Sequence, residues 1–246
     1  MTPDPEFILN RLGIRLPLTG FYDAPDPAAF QPVVRPNARV RHACVFMYFK
    51  SWKEGATLDL TATRSGCRGC ARTFFGQDTR DRQGFLDFLA LEEGLKESPE
   101  LMGRWLDQDR PYHPLHGHLL IGPYREECLE FLRSVTFWVN PDQLSALVIG
   151  AHYHHRPDDR YPPVKAPFGS GCMQLVSLFD DLDQPQAIIG STDLAMRPYL
   201  PRDILAFTVT VPMFRRLCAL DERSFLEKPF LKKLQKTRHR GRFLTI

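Results

Sequence analysis

One pattern that occurs twice limits the folds that this chain of 246 residues can adopt. A helical segment headed by Cys44 is followed by a predicted strand at residues 57–63, in which polar and apolar residues alternate. Cys172 heads a second helical segment, and a second predicted strand follows at residues 187–192. Two copies of a cysteine-headed helix plus a strand predict one domain built from two loosely repeated halves.

Other segments alternate between helix and strand signals. Ser98-Pro99 and Asn140-Pro141 predict helix starts, since Ser and Asn cap a first turn and proline suits the first helical position. Tyr124, Cys128 and Leu132 share one face of a further predicted helix. Helices are also predicted at residues 7–16, 69–75, 85–95 and 214–218, and strands at 135–139 and 204–210. We therefore expect an α+β domain in which helices pack on a mixed sheet.

The composition is that of an ordinary water-soluble globular protein, with 43 % hydrophobic and 25 % charged residues. The first residues show no basic patch followed by an apolar run, so we expect no signal peptide. The longest apolar stretch, residues 144–151, is far shorter than the ~20 residues of a membrane span. We expect a cytoplasmic protein without a membrane partner.

Positive charge is concentrated at the end of the chain. The net charge is +3, but residues 229–246 contain six Lys and Arg and no acid, so acidic residues outnumber basic ones in the remainder. A basic tail can contact phosphate backbones, although solvated surface is the simpler interpretation. Outside this tail we find no feature typical of a nucleic-acid module.

The candidate metal ligands are four of the six cysteines. Cys67 and Cys70 form a Cys-x-x-Cys pair, whose two thiolates can bind one metal ion or close a redox disulfide. In the reducing cytoplasm, structural disulfides are not expected. Two further thiols, Cys44 and Cys172, head helices, so the four together predict an iron–sulfur cluster or a zinc site. The alternative is that these cysteines are simply buried. Cys128 and Cys218 lie on apolar faces and are predicted core residues.

Arginines in the same stretch favour a different class of function. Arg64, Arg68 and Arg72 are four residues apart, so in a helix they lie on one face near its glycine-flanked start. Such a helix start is suited to phosphate or carboxylate groups. Ser170 and Gly171 belong to a second glycine-rich helix start. The set predicts a site for a small anionic molecule, without a nucleotide-binding P-loop or a dinucleotide motif.

Histidines form the third group of candidates. His-x-x-His-x-His occurs at residues 113–118, and three more histidines lie at residues 152–155. Either group would suit zinc, but neither has the glutamate of the metalloprotease pattern. We interpret them as loop and helix-cap residues.

Several motifs, taken in their order along the chain, resemble a known prokaryotic family, domain of unknown function 169. The matching features are Cys44, Cys67-Arg68-Gly69, Pro141-Asp142, Gly171-Cys172 and the segment 207–214. The resemblance implies a single domain over residues 1–234, followed by a basic tail at 235–246. It implies no activity and no catalytic residue.

Two hypotheses follow from the residues themselves. The first is a protein that binds a metal ion or an iron–sulfur cluster through Cys44, Cys67, Cys70 and Cys172. The second is a non-catalytic binding domain for an anionic small molecule. The sequence assigns no catalytic residue and does not decide whether the protein is an enzyme.

Overall fold

A computed structural model describes residues 3–36, 44–65, 67–77, 81–108, 111–167 and 171–239. Within these ranges the strands form one mixed sheet of eight, in the order β2-β3-β4-β1-β5-β8-β7-β6. The strands are β1 (Thr19–Ala24), β2 (Val33–Val34), β3 (Thr57–Leu60), β4 (His118–Pro123), β5 (Leu132–Val139), β6 (Val164–Lys165), β7 (Ala187–Gly190) and β8 (Leu205–Thr210). The predicted α+β class is confirmed.

The sheet consists of two halves with the same topology. From the centre outward the first half runs β1-β4-β3-β2 and the second runs β5-β8-β7-β6, and the halves meet where β1 pairs antiparallel with β5. Among the strands of the described ranges, only the outermost pair of each half is parallel. The two halves also share a hydrogen bond at equivalent positions. The Thr57 N–H donates to the Pro32 carbonyl in the first half, and the Ala187 N–H donates to the Pro163 carbonyl in the second, each at 2.8 Å. The predicted repeat is therefore present in the fold.

The α-helices begin where the sequence provides caps. The Asn140 side chain accepts the Gln143 N–H at 2.9 Å in a capping box, and Ser98 Oγ accepts the Leu101 N–H at 3.2 Å. Both predicted helix starts are confirmed. The helices are α1 (Glu6–Leu12), α2 (Phe49–Lys53), α3 (Arg68–Phe75), α4 (Arg82–Asp87), α5 (Pro99–Gln108), α6 (Pro141–His152), α7 (Val211–Cys218) and α8 (Pro229–His239).

One predicted helix is wrong. The segment that contains Tyr124, Cys128 and Leu132 has a single 3₁₀ turn, Glu126–Cys128, and Leu132 already begins β5. Strand pairing prevails over the helical pattern here, because Leu132 pairs with Tyr22 of β1. The cysteine-headed segments are also tighter than expected: 3₁₀ turns form at Val45–Tyr48, before α2, and at Gly171–Leu175.

The two faces of the sheet have separate cores. Tyr22, Leu120 and Phe137 point to the face that α1, α6 and α7 cover. Their neighbours Phe21 and Ile121 point to the opposite face, against α2, α3 and the 3₁₀ turns. All four candidate cysteines lie on this second face. None of the helices in the described ranges combines the length and apolar character that a membrane crossing requires.

The halves differ in the connection that follows their third strand. In the second half, residues 191–204 join β7 to β8 and contain only a 3₁₀ turn, Arg197–Tyr199. In the first half, residues 61–117 join β3 to β4 and include α3, α4, a π-helix at Phe88–Glu92, and α5. Residues 81–108 of this insertion, which we call the arch, have a small apolar core of their own. Cys70 and Phe74 of α3 and Trp105 of the arch join the apolar cluster of the second face, so the insertion lies on the face that holds the cysteines.

Candidate functional site

Four cysteines from separate segments come together on the second face of the sheet. Cys44 precedes the 3₁₀ turn Val45–Tyr48, and Cys172 lies in the 3₁₀ turn Gly171–Leu175. These two turns pack against each other at equivalent positions of the two halves. Helix α3, which Cys67 caps and whose first turn contains Cys70, packs against the Cys172 turn. All four residues belong to one apolar cluster.

The thiol of Cys67 caps helix α3. The backbone of Cys67 is extended, with φ −131° and ψ 172°, and its Sγ accepts a hydrogen bond from the Cys70 N–H at 3.3 Å. A sulfur at this position replaces the oxygen of an ordinary Ser or Asp cap. The Cys-x-x-Cys spacing therefore places one thiol at the helix start and the other inside the first turn.

Burial raises the pKa of three of these thiols, those of Cys44, Cys67 and Cys70, and so favours their protonated forms. It raises the pKa of Cys44 from 9.0 to about 12, and the nearby Cys67, Asp193 and Glu93 add to the increase. Burial also raises the pKa of Cys67. The pKa of the fully buried Cys70 is also raised, mainly by burial. The negative charges that Cys172, Cys67 and Cys44 would bear as thiolates raise it further. The thiols are thus close enough for ionisation of one to oppose ionisation of the next.

A cavity of about 500 Å³ opens beside the cysteines. Cys44, Cys67 and Cys172 line it, while Cys70 lies behind them in the core. The arch covers the cavity with apolar side chains, among them Phe85, Phe88, Leu89, Met102, Trp105 and Leu106. On the opposite wall, Gly171 leaves room for Met196, because a Cβ at this glycine would lie 1.9 Å from the methionine sulfur. Sulfur atoms and hydrocarbon therefore dominate the lining.

Three carboxylates that the sequence analysis missed line the cavity: Glu92 and Glu93 from the arch, and Asp193 from the segment after β7. Glu93 follows the π-helix of the arch, and Asp193 follows β7 and accepts the Gly171 N–H through Oδ2 at 3.2 Å. Burial raises the pKa of Glu93, and Asp193 and then Glu92 raise it further. The repeat could have indicated Asp193, since its segment after β7 is the counterpart of the segment after β3 that holds Cys67. Glu93 has no such sequence signal.

The comparisons with known proteins identify the family. The model of the family DUF169, described as "Uncharacterised ArCR", matches residues 18–219. The chain belongs to the DUF169 family. The resemblance noted in the sequence is thereby confirmed. No curated protein and no solved structure matches the chain.

The arginines of this DUF169 chain are divided between the cavity and the surface. Arg68 and Arg72 line the cavity, whereas Arg64 is exposed and outside the lining. The Arg72 guanidinium donates a hydrogen bond to the Leu106 carbonyl oxygen and so connects α3 to the arch. Gly171 also lines the cavity, while Ser170 lies outside the described residues.

The histidines of the DUF169 chain lie elsewhere. His118 Nδ1 lies 2.7 Å from the buried carboxylate of Asp59, which also pairs with Arg35 at 2.9 Å. His155 pairs with Asp159 at 3.1 Å. Across the described ranges, no three His, Cys, Asp or Glu side chains are arranged so that they could hold a metal ion. The four cysteines are neighbours, but their sulfurs do not form a ligand shell in this conformation.

Proposed function

We propose that the protein binds a thiophilic metal ion or an iron–sulfur cluster through Cys44, Cys67, Cys70 and Cys172. The observation that supports this proposal is the position of these cysteines, which come from three separate segments of the chain and meet beside one cavity. The other two cysteines lie elsewhere: Cys128 is buried in the opposite core and Cys218 packs against it. Soft thiolate ligands select zinc, copper(I) and iron–sulfur clusters over hard cations.

The carboxylates that line the cavity favour a cation. Asp193 raises the pKa of Glu93, and both carboxylates raise the pKa of Cys44 and of Cys67, so ionisation of a thiol adds negative charge beside them. A metal cation relieves this repulsion, because it stabilises the thiolates and the carboxylates together. An anion placed at the same wall would increase the repulsion.

Metal binding would require two changes of the site as it stands. Each ligand thiol must lose its proton, so the apparent affinity should rise with pH and binding should release protons. The sulfurs must also approach one another, since metal–sulfur bonds are ~2.3 Å long. Movement of the Cys44 and Cys172 turns relative to the start of α3 would bring them together. Because the four thiols are brought together only in the folded chain, metal binding should stabilise the fold.

Metal content of protein purified without oxygen tests the proposal. The wild-type chain, purified directly or reconstituted with iron and sulfide or with zinc, should contain about one site per chain and should unfold at a higher temperature. Cys44→Ser and Cys172→Ser should lower the bound metal by at least ~10-fold, in line with the loss of one ligand. The matched control is the double variant Cys128→Ser, Cys218→Ser, which should bind as the wild type does. A wild-type chain that stays metal-free, colourless and unchanged in stability would overturn the proposal.

The second candidate function is a receptor for a small anionic molecule. It is favoured by Arg68 and Arg72, which both line the cavity. A thermal shift produced by inorganic phosphate or citrate should then disappear in Arg68→Ala. The exposed Arg64→Ala, whose side chain is outside the lining, is the control. A shift that persists when both Arg68 and Arg72 are replaced by Ala would contradict an anion site in this cavity.

A further inference from the structure

We propose that the cavity under the arch binds an organic cation, an amine or quaternary ammonium group attached to an apolar body. A metal ion bound by the cysteines would occupy only the wall of this cavity and leave most of its volume free. The inference does not depend on the metal proposal, because the groups that would bind the organic cation belong largely to the arch and to the segment after β7.

The size and lining of the cavity suit a small organic molecule. Its volume of about 500 Å³ falls within the range of about 300–1,000 Å³ that is usual for ligand sites. Phe85 and Leu89 of the arch are apolar, as is Met173 on the opposite wall. Such a surface binds hydrocarbon, since each apolar group that leaves water contributes free energy.

Charge and aromatic rings select the polar end of the ligand. Glu93 and Asp193 line the same cavity as the aromatic residues Phe88, Trp105 and Tyr199. Carboxylates next to aromatic faces are suited to ammonium groups, through Coulomb attraction and cation–π contact. The charged groups that act on Glu93 are Asp193 and Glu92, both acidic.

The cations around the cavity leave this selectivity in place. Arg68 is exposed at the rim, and Arg72 donates its hydrogen bond to the Leu106 carbonyl oxygen. The Lys96 ammonium lies 5.9 Å from the centroid of the Trp105 ring but outside the cavity lining. Both guanidinium groups keep their charge, but the three carboxylates that line the cavity, Glu92, Glu93 and Asp193, outnumber them.

Three fluorescent probes that differ in charge test the inference on the metal-free full-length chain. They are thioflavin T, which is cationic, Nile red, which is neutral, and anilinonaphthalene sulfonate, which is anionic. We expect thioflavin T to bind at least ~10-fold more tightly than the anionic probe, because the carboxylates attract one and repel the other. Equal or tighter binding of the anionic probe would overturn the inference, as would the absence of saturable binding by all three.

Two sets of variants locate the bound probe. Glu93→Gln combined with Asp193→Asn should lower the affinity for thioflavin T by about tenfold and change the affinity for Nile red by less than about twofold. Glu97→Gln, an exposed acid of the arch outside the lining, is the control. Ala195→Trp at the cavity wall should weaken both probes, whereas Ala29→Trp on a distant exposed turn should not. Binding that is unaffected by Ala195→Trp would contradict a site in this cavity. Because all samples are metal-free, a failure of metal loading leaves this result standing.

Discussion

The two halves of the molecule share a strand order but differ in what they add to it. Each half places a cysteine at a 3₁₀ turn before its third strand, Cys44 in the first and Cys172 in the second. The pseudo-twofold arrangement brings these turns into contact. The repeated framework thus supplies two of the four proposed ligands from equivalent positions.

The difference lies after the third strand. The long insertion of the first half contributes Cys67, Cys70 and the arch, whereas the short connection of the second half contributes Asp193. A symmetric pair of turns has in this way become an asymmetric site with a cover on one side. The comparison suggests that the framework determines where the site lies and that the insertion determines what it binds.

The largest expected loss of stability follows from a substitution at the junction of the halves. Trp138 of β5 is 2 % exposed, and its Nε1 donates to Thr19 Oγ1 of β1 at 2.8 Å. Trp138→Ala should lower the free energy of unfolding by about 3–5 kcal/mol, as expected for a large core aromatic. Urea unfolding measures the loss, with Leu194→Ala, at an 81 % exposed side chain, as the control. Two separate unfolding transitions in the wild type would contradict a single domain joined at β1 and β5.

A second effect depends on pH and concerns the metal-free site. The folded-state pKa of Cys44 is raised from 9.0 to about 12, so its protonated form stabilises the fold below pH 9. That contribution is lost as the pH rises from about 9 toward 12, because the unfolded chain releases the proton first. Thermal unfolding between pH 8 and 11 should show a falling midpoint, and Cys44→Ser should make the fall shallower. An identical slope in Cys44→Ser would show that this thiol is not buried as described.

The smallest expected losses of stability follow from replacing the helix caps that come after the first strand of each half. Asn140 caps the three-turn helix α6 through a complete capping box, so Asn140→Ala should cost about 1 kcal/mol. Asp26 is its counterpart and accepts the Ala28 N–H at 2.8 Å, but it caps only the turn Pro27–Phe30. Asp26→Ala should therefore cost a few tenths of a kcal/mol. Equal losses in chemical denaturation would show that the two caps are not differentiated by helix length.

Local sequence signals predict four of the eight described strands, β3, β5, β7 and β8, and the starts of α5 and α6, but not β1, β2, β4 and β6. The Asn140-Pro141 pair and the alternation after Thr57 each identify their element, because caps and side-chain periodicity act within a few residues. The error at Tyr124 to Leu132 arose where β5 pairs with β1 across more than a hundred residues. No local pattern encodes such a pairing.

The site likewise contains residues that the sequence predicts and residues that it does not. Its cysteines stand out in the sequence because of their chemistry and their repeated context. Glu93 and Asp193 do not, since one becomes part of the wall through the fold of the arch and the other through the connection after β7. Of the three arginines at spacing four, Arg64 precedes helix α3 and so does not share the face of Arg68 and Arg72.

The most direct test of the proposed metal site is X-ray absorption at the metal edge of the reconstituted protein. Four cysteine ligands predict a first shell of sulfur at ~2.3 Å, with additional iron scatterers if a cluster forms. Cys172→Ser should replace one sulfur by a lighter ligand or abolish binding, and Cys218→Ser should leave the shell unchanged. A shell of nitrogen and oxygen alone, or one unaffected by Cys172→Ser, would contradict a site built from both halves.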